Sequence, residues 1–68
     1  MIAIESSNLA GVDYSYWTGT LTIEFHSGGV YDYFDVPHAK YAGLMQADSH
    51  GKYFHAHIRN RFRFRKIN

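Results

Sequence analysis

The stretch Gly28-Gly29-Val30-Tyr31-Asp32-Tyr33-Phe34-Asp35-Val36-Pro37 decides the fold. A glycine pair opens it and a proline closes it, which predicts one extended segment of β-forming residues from Val30 to Pro37. Because side chains alternate along a strand, Tyr31, Tyr33 and Asp35 should share one face. The other face would carry Val30, Asp32, Phe34 and Val36. Both faces are partly apolar, so we expect this strand mid-sheet, or in a sheet with one covered face and one face open to a ligand.

The segment Thr20–Phe25 gives the clearest strand pattern, with apolar and polar residues in strict alternation. A three-residue loop at Ser27–Gly29, with Gly29 in the left-handed conformation, would pair Phe25 with Tyr31. A two-residue loop would instead place a carboxylate of the partner strand among apolar groups, which costs desolvation. The first register therefore predicts that both tyrosines of the opening stretch share the apolar face of Thr20–Phe25.

The rest of the chain completes an α+β pattern. Leu9–Tyr14 predicts a first strand, in which Gly11 indicates a bulge or a close backbone approach. Pro37 suits the first turn of a helix, and Ser49 suits the N-cap of a second helix. We predict a three-stranded antiparallel meander followed by two short helices packed on one face. A possible fourth strand comes from the strict alternation Arg61–Arg65, with an arginine face and an aromatic face.

Length and composition predict one small domain covering residues 1–68. A chain of this size buries only about 60% of its unfolded surface. It has no cysteine, so the aromatic residues, 18% of the chain, must supply much of the core, and a homo-oligomer would enlarge it. No segment approaches the roughly 18 apolar residues of a membrane span, and the N-terminus lacks a signal-peptide pattern. We expect a cytoplasmic protein with no membrane partner.

Charge is distributed unevenly along the chain. Residues 1–48 contain six acids and one lysine, giving −5, whereas residues 49–68 contain six basic residues and no acid, giving +6. Guanidinium groups bind phosphates through parallel donors, and interleaved aromatics can stack on bases. Phosphate contacts are therefore predicted at Arg59, Arg61, Arg63, Arg65 and Lys66. Base contacts are predicted at the exposed aromatics Trp17, Tyr16 and Phe64. The alternative is a solvated, frayed basic terminus.

Other groups of residues say less about function. Tyr31 and Tyr33 could form a stacking platform, but the register favours a core role under the helices, with hydroxyls bonded to polar segments near Ser49. His55 and His57 would point about 200° apart on a helix, so no metal site is expected. No nucleophile or acid/base pair is positioned, so we predict no catalytic residue, no cofactor and no enzyme.

The order of several short motifs resembles the KTSC domain, a module named for its place at the C-terminus of some lysyl-tRNA synthetases and also found as a stand-alone bacterial or phage protein. The matching series is Ser6-Ser7, Tyr31-x-Tyr33, Val36-Pro37, Leu44, Ala47, Ser49-x-Gly51, Phe54 and Ile58-Arg59. The resemblance implies a non-catalytic domain for which RNA binding has been suggested from the synthetase context. Its motif residues here are Tyr31, Tyr33, Pro37, Ser49, Gly51 and Phe54. His55 stands where the family often has Asn, so a polar contact there is altered.

Three functions follow from these observations. The first is a module that binds RNA or another nucleotide-type anion through the basic C-terminal segment; five phosphate contacts on a single strand would give a log-log salt slope near −3.5, at about 0.7 per phosphate. The second is sequestration of a small nucleotide messenger at an oligomer interface. The third is a protein-interaction module that uses a basic edge strand for β-addition.

Overall fold

The computed structural model describes all 68 residues as an antiparallel sheet of five strands with two helices. The strands lie in chain order, and both helices fall between the fourth and the fifth. The strands are β1 (Ile2–Ala3), β2 (Leu9–Ser15), β3 (Thr20–Phe25), β4 (Val30–Tyr33) and β5 (Phe64–Lys66). The helices are α1 (His38–Gln46) and α2 (His50–His57). The predicted α+β fold with a C-terminal strand is confirmed, and β1 is an additional edge strand that the pattern did not predict.

The core lies between one face of the sheet and the helices. The central strand β3 contributes Leu21 and Ile23, and the helices contribute Leu44 and Phe54. The other buried members are Leu9, Val12, Tyr33, Val36 and Ile58. The opposite sheet face has no helix over it, and it carries Thr22 hydrogen-bonded to Asp32 at 2.6 Å. One face therefore packs and the other meets solvent, as the alternation along β3 predicts.

The hairpin between β3 and β4 differs from the predicted register by two residues. Ile23 pairs with Tyr31, not with Tyr33, and the Phe25 amide donates to the Gly29 carbonyl at 2.9 Å. The three-residue loop therefore starts one residue earlier than predicted, and Gly28, at φ +104°, takes the positive dihedral. A shift of two residues leaves every side chain on its predicted face. The tyrosines accordingly share the apolar face of β3.

The predicted extended segment ends at Tyr33, four residues before the proline. Asp35 has φ +56° and turns the chain there. Val36, expected on the outer face, is consequently buried in the core and bonded at both backbone groups: its amide donates to the Gly19 carbonyl at 2.9 Å, and its carbonyl accepts from the Tyr14 hydroxyl at 2.6 Å. The alternation of side chains between the two sheet faces does not continue past Asp35, because its left-handed backbone conformation ends the strand geometry.

Both helices begin where the sequence indicates. Pro37 occupies the N-cap of α1, so this helix begins at His38, one residue later than a start at Pro37 would give. Ser49 caps α2 by accepting a hydrogen bond from the Lys52 amide at 3.2 Å. The helices approach closely at Gly43, where an added Cβ would lie 2.9 Å from ring carbon Cε2 of Tyr53. No helix combines the length and the apolar character needed to cross a bilayer.

The predicted five-residue strand at Arg61–Arg65 is shorter and lies later in the chain. The chain turns after α2, with Asn60 at φ +63°, and only Phe64–Lys66 pairs with β4. Phe64 and Lys66 share the helix-bearing face because they lie opposite Tyr33 and Tyr31, whereas Arg65 lies opposite Asp32 on the other face. The expected separation of arginine from aromatic side chains therefore holds for Arg65 and Phe64, but the paired strand covers only three residues and Lys66 shares the face of Phe64.

Candidate ligand-binding cleft

A cleft of about 710 Å³ opens on the helix-bearing face, where the β3–β4 hairpin, α2 and β5 meet. Five of its 13 lining residues are aromatic, three carry a guanidinium or imidazole, and none is acidic. The lining residues are Ser7, Asn8, Phe25, His26, Ser27, Tyr31, Tyr33, Gly51, Phe54, His55, Arg59, Asn60 and Phe64. The two short helices leave this end of the sheet uncovered, and the cleft occupies the gap.

Five rings form the aromatic surface of the cleft. Tyr31 contacts Phe25, Tyr33 and Phe64 at centroid distances of 5.6, 6.5 and 5.9 Å. Phe54 closes the set against Phe25 at 5.5 Å and Tyr33 at 5.6 Å. Phe54 and Tyr33 are buried, Phe25 and Tyr31 are half-buried, and Phe64 is 56% exposed. The two buried rings hold the fold, and the more accessible rings offer flat surfaces to a ligand.

The cationic side of the cleft is held by hydrogen bonds. The Arg59 guanidinium donates to Nδ1 of His55 at 3.2 Å, one helical turn earlier in the chain. On the other side, Nε2 of His26 lies 2.8 Å from the carbonyl of Ser6, which ties the hairpin loop to the N-terminal segment. An arginine has five N–H donors, so the bond to His55 orients Arg59 and leaves donors for an anion.

The buried phenol of Tyr33 shows that the inner part of the cleft is poorly solvated. Burial raises the pKa of Tyr33 to about 12, the neighbouring Tyr31 hydroxyl adds to this rise, and the positive charge of Arg59 acts in the opposite direction. Arg59 therefore lies close enough to the buried phenol for their charges to interact. The expected hydrogen bonds from the hydroxyls of Tyr31 and Tyr33 to the serine segments do not form: Ser6 accepts from the Asn8 and Leu9 amides, and Ser49 accepts from the Lys52 amide.

The predicted binding residues occupy different parts of this region. Arg59 and Phe64 line the cleft, and so do four residues of the family-like motif: Tyr31, Tyr33, Gly51 and Phe54. Arg61 and Arg63 line a second concavity that adjoins the cleft. Lys66 lies beside Tyr31 on the cleft side of β5, and Arg65 points to the opposite face. The basic segment thus divides between two surfaces.

Tyr16 and Trp17 lie at the far end of the molecule, in the turn between β2 and β3. The cleft opens at the other end of β3, and a strand of six residues spans about 20 Å. Trp17 is 97% exposed, and Tyr16 packs edge-on against Tyr14 at 5.1 Å. These aromatics therefore do not share a site with the basic segment.

Several cleft residues were not predicted from the sequence. Asn8, His26 and Ser27 come from polar connections between strands, and His55 lies on α2. Their only sequence signal is proximity to motif residues, because segments far apart in sequence build the cleft together. No group of three or more His, Asp or Glu side chains is arranged to hold a metal ion.

Comparison with known proteins adds a family and a structural match. A family profile described as the KTSC domain matches residues 5–62. The crystal structure of a KTSC domain protein from Yersinia pestis superposes with a TM-score of 0.95 and is 32% identical, covering 97% of this chain and 93% of that one. The profile ends at Phe62, so the segment from Arg63 lies beyond the matched part.

Sequence relatives include much longer proteins. A lysine–tRNA ligase from Trichormus variabilis is 41% identical over 63 residues, which cover 93% of this chain and 11% of the ligase. An uncharacterized protein from Stutzerimonas stutzeri is 38% identical over 53 residues, which cover 78% of this chain and 75% of that protein. The chain thus spans about a ninth of the length of the ligases that it matches.

Proposed function

Since the chain belongs to the KTSC domain family, we propose that it is a non-catalytic binding module whose ligand is single-stranded RNA. The observation that carries this proposal is the lining of the cleft, which combines accessible aromatic rings with the guanidinium of Arg59 and two imidazoles and contains no carboxylate. A nucleotide presents a flat base and a negative phosphate, and this lining complements both.

Base binding is assigned to two of the more accessible rings, Tyr31 and Phe64. They lie 5.9 Å apart between centroids on adjacent strands, and the buried rings beneath hold them in place. Stacking of a base on an aromatic side chain contributes about 1–3 kcal/mol and tolerates different bases. A preformed platform loses little side-chain entropy when the ligand binds.

Phosphate binding is assigned to Arg59, with the imidazole of His55 beside it and that of His26 on the other side of the cleft. The absence of acids in the lining means that an anion entering the cleft meets no like charge there. The sequence similarity to lysine–tRNA ligases associates this domain with chains that act on tRNA, which favours RNA among anionic ligands. A bound base must leave its stack to enter a concavity, so single-stranded segments fit better than duplex.

A free nucleotide is the second candidate ligand. The cleft volume of about 710 Å³ falls within the range of about 300–1,000 Å³ that is usual for small-molecule sites. The same rings and the same arginine would bind it, so it differs from the first candidate in the length of the ligand and not in its chemistry.

The test compares two arginines that differ in position and not in charge. Fluorescence anisotropy with labelled single-stranded RNA should show that Arg59→Ala weakens binding about tenfold or more, because it removes a charge-assisted contact in the cleft. Arg65→Ala, on the opposite face of β5, is the matched control and should change affinity less than about twofold. Equal losses in both variants, or no RNA binding by the unmodified chain, would contradict the proposal.

A further inference from the structure

A second concavity lies next to the cleft and shares part of its wall. It is shallower and more open than the cleft, and Asn60 and Phe64 line both spaces. The other lining residues are Phe34, Arg61, Phe62 and Arg63. Like the cleft, it contains aromatic and cationic groups and no acid.

The arginines of the second concavity are accessible and partly oriented. Arg63 lies with its guanidinium carbon 5.5 Å from the centroid of Phe34 and pairs with Asp35 at 2.9 Å. Arg61 is exposed, and its side chain makes no hydrogen bond within the chain. The carboxylate of Asp35 does not line the concavity. The space therefore offers two guanidinium groups to a backbone that continues from the cleft: Arg61 without an ion pair, and Arg63 with its charge partly neutralised by Asp35.

Phe64 separates the two spaces. Its strand is hydrogen-bonded to β4, and its ring contacts Tyr31 and Tyr33 at 5.9 and 5.8 Å, while 56% of the residue remains exposed. A fixed, exposed ring between two acid-free concavities is suited to lie between two neighbouring bases of one strand.

We infer that the ligand is a run of at least two consecutive nucleotides of single-stranded RNA, with one base in the cleft and the next base beyond Phe64. Arg61 and Arg63 bind the phosphates on the far side of Phe64, and Arg59 binds those at the cleft. This inference rests on the proposed function and extends it, because it selects an oligonucleotide over a free nucleotide.

Isothermal titration calorimetry with three probe lengths tests the inference. The probes are the four ribonucleoside 5′-monophosphates, the dinucleotides UpU and ApA with 5′-phosphates, and the corresponding hexanucleotides. We expect the dinucleotides to bind about tenfold or more tightly than the monophosphates, because a second base gains a stacking contact. Arg61→Ala should weaken hexanucleotide binding severalfold and by a larger factor than it weakens monophosphate binding.

Phe64→Ala provides an independent variant. The side chain is largely exposed, so its removal should leave the fold intact, which circular dichroism verifies, and should reduce the difference between dinucleotide and monophosphate affinity. Monophosphates that bind as tightly as dinucleotides would overturn the inference and leave the proposed cleft function standing. Absence of binding to every probe would overturn both.

Discussion

Tyr33 links the core to the cleft at the scale of a single residue. Only 5% of it is exposed, and its ring packs on Phe54 and Phe64 at 5.6 and 5.8 Å. Burial is the main cause that raises the pKa of its hydroxyl to about 12, because a phenolate in this position loses solvation. The same side chain therefore supports the platform and resists ionisation.

This pKa shift predicts a dependence of stability on alkaline pH. A tyrosine in the unfolded chain ionises near pH 10, so above that pH the unfolded state binds fewer protons than the folded state and the free energy of unfolding falls. The contribution of Tyr33, on the order of 2 kcal/mol, is fully present below pH 10 and is lost as the pH rises to about 12. Urea unfolding at intervals from about pH 9 to 12 measures it.

Two variants separate this effect from general alkaline unfolding. Tyr33→Phe should show a shallower fall in the free energy of unfolding across that range. Tyr53→Phe removes a half-buried phenol that does not line the cleft and should retain the slope of the unmodified chain. If the free energy of unfolding falls as steeply with pH in both variants as in the unmodified chain, Tyr33 is not the group responsible.

At the scale of elements, the alternation of side chains predicts faces better than it predicts registers. The β3–β4 hairpin has adjacent glycines, and placing the positive φ at Gly28 or at Gly29 shifts the pairing by two residues. Each tyrosine stays on the same face in either case, so the hydrophobic pattern cannot distinguish the two loops. Only the backbone conformation of Gly28 decides between them.

The cleft shows the opposite limit of sequence reasoning. The alternation of side chains correctly places Tyr31 and Tyr33 on the helix-bearing face. It does not indicate how much of that face the helices cover. Two helices of nine and eight residues leave the Phe25 end of that face uncovered. A residue predicted to lie under the helices consequently becomes half-exposed, and a site appears that no local pattern encodes.

The hairpin conformation gives a prediction at this scale. Gly28→Ala places a Cβ on a backbone at φ +104°, which strains the turn although no atom lies within 4 Å, and should lower the free energy of unfolding by about 1–2 kcal/mol. Gly29→Ala is the matched control. Its Cβ would lie 3.2 Å from Cε1 of the half-buried Tyr31, with Cδ1 of the same ring and the Asn68 carbonyl oxygen at 3.9 and 4.0 Å, so the expected loss is below about 1 kcal/mol. The reverse order, measured by urea denaturation, would favour the register with Gly29 in the left-handed conformation.

Across the whole molecule, the uneven charge of the sequence becomes a difference between two faces. The uncovered sheet face carries Asp13 and Asp32 on either side of Thr22, with Arg65 opposite Asp32. The cleft side carries most of the C-terminal cations, and Arg63 with Asp35 is the one ion pair in the chain. A polyanion is therefore attracted to the cleft side and repelled from the acidic face, which orients its approach.

The dependence of RNA affinity on salt concentration tests this distribution of charge. Four cations face the cleft and its neighbour: Arg59, Arg61, Arg63 and Lys66. At about 0.7 released counterions per phosphate contact on a single strand, the logarithm of the association constant should fall against the logarithm of salt concentration with a slope of about −3. Anisotropy titrations between about 0.05 and 0.3 M salt measure it.

The variants identify which face supplies the contacts. Arg61→Ala should make the slope shallower by about 0.7, whereas Arg65→Ala should leave it unchanged because that side chain lies across the sheet from the cleft. A slope that becomes shallower by the same amount in Arg65→Ala would mean that the strand wraps the β5 edge and uses both faces. A flat salt response of the unmodified chain would mean that phosphates contribute nothing, and the cationic side of the cleft would then need another role.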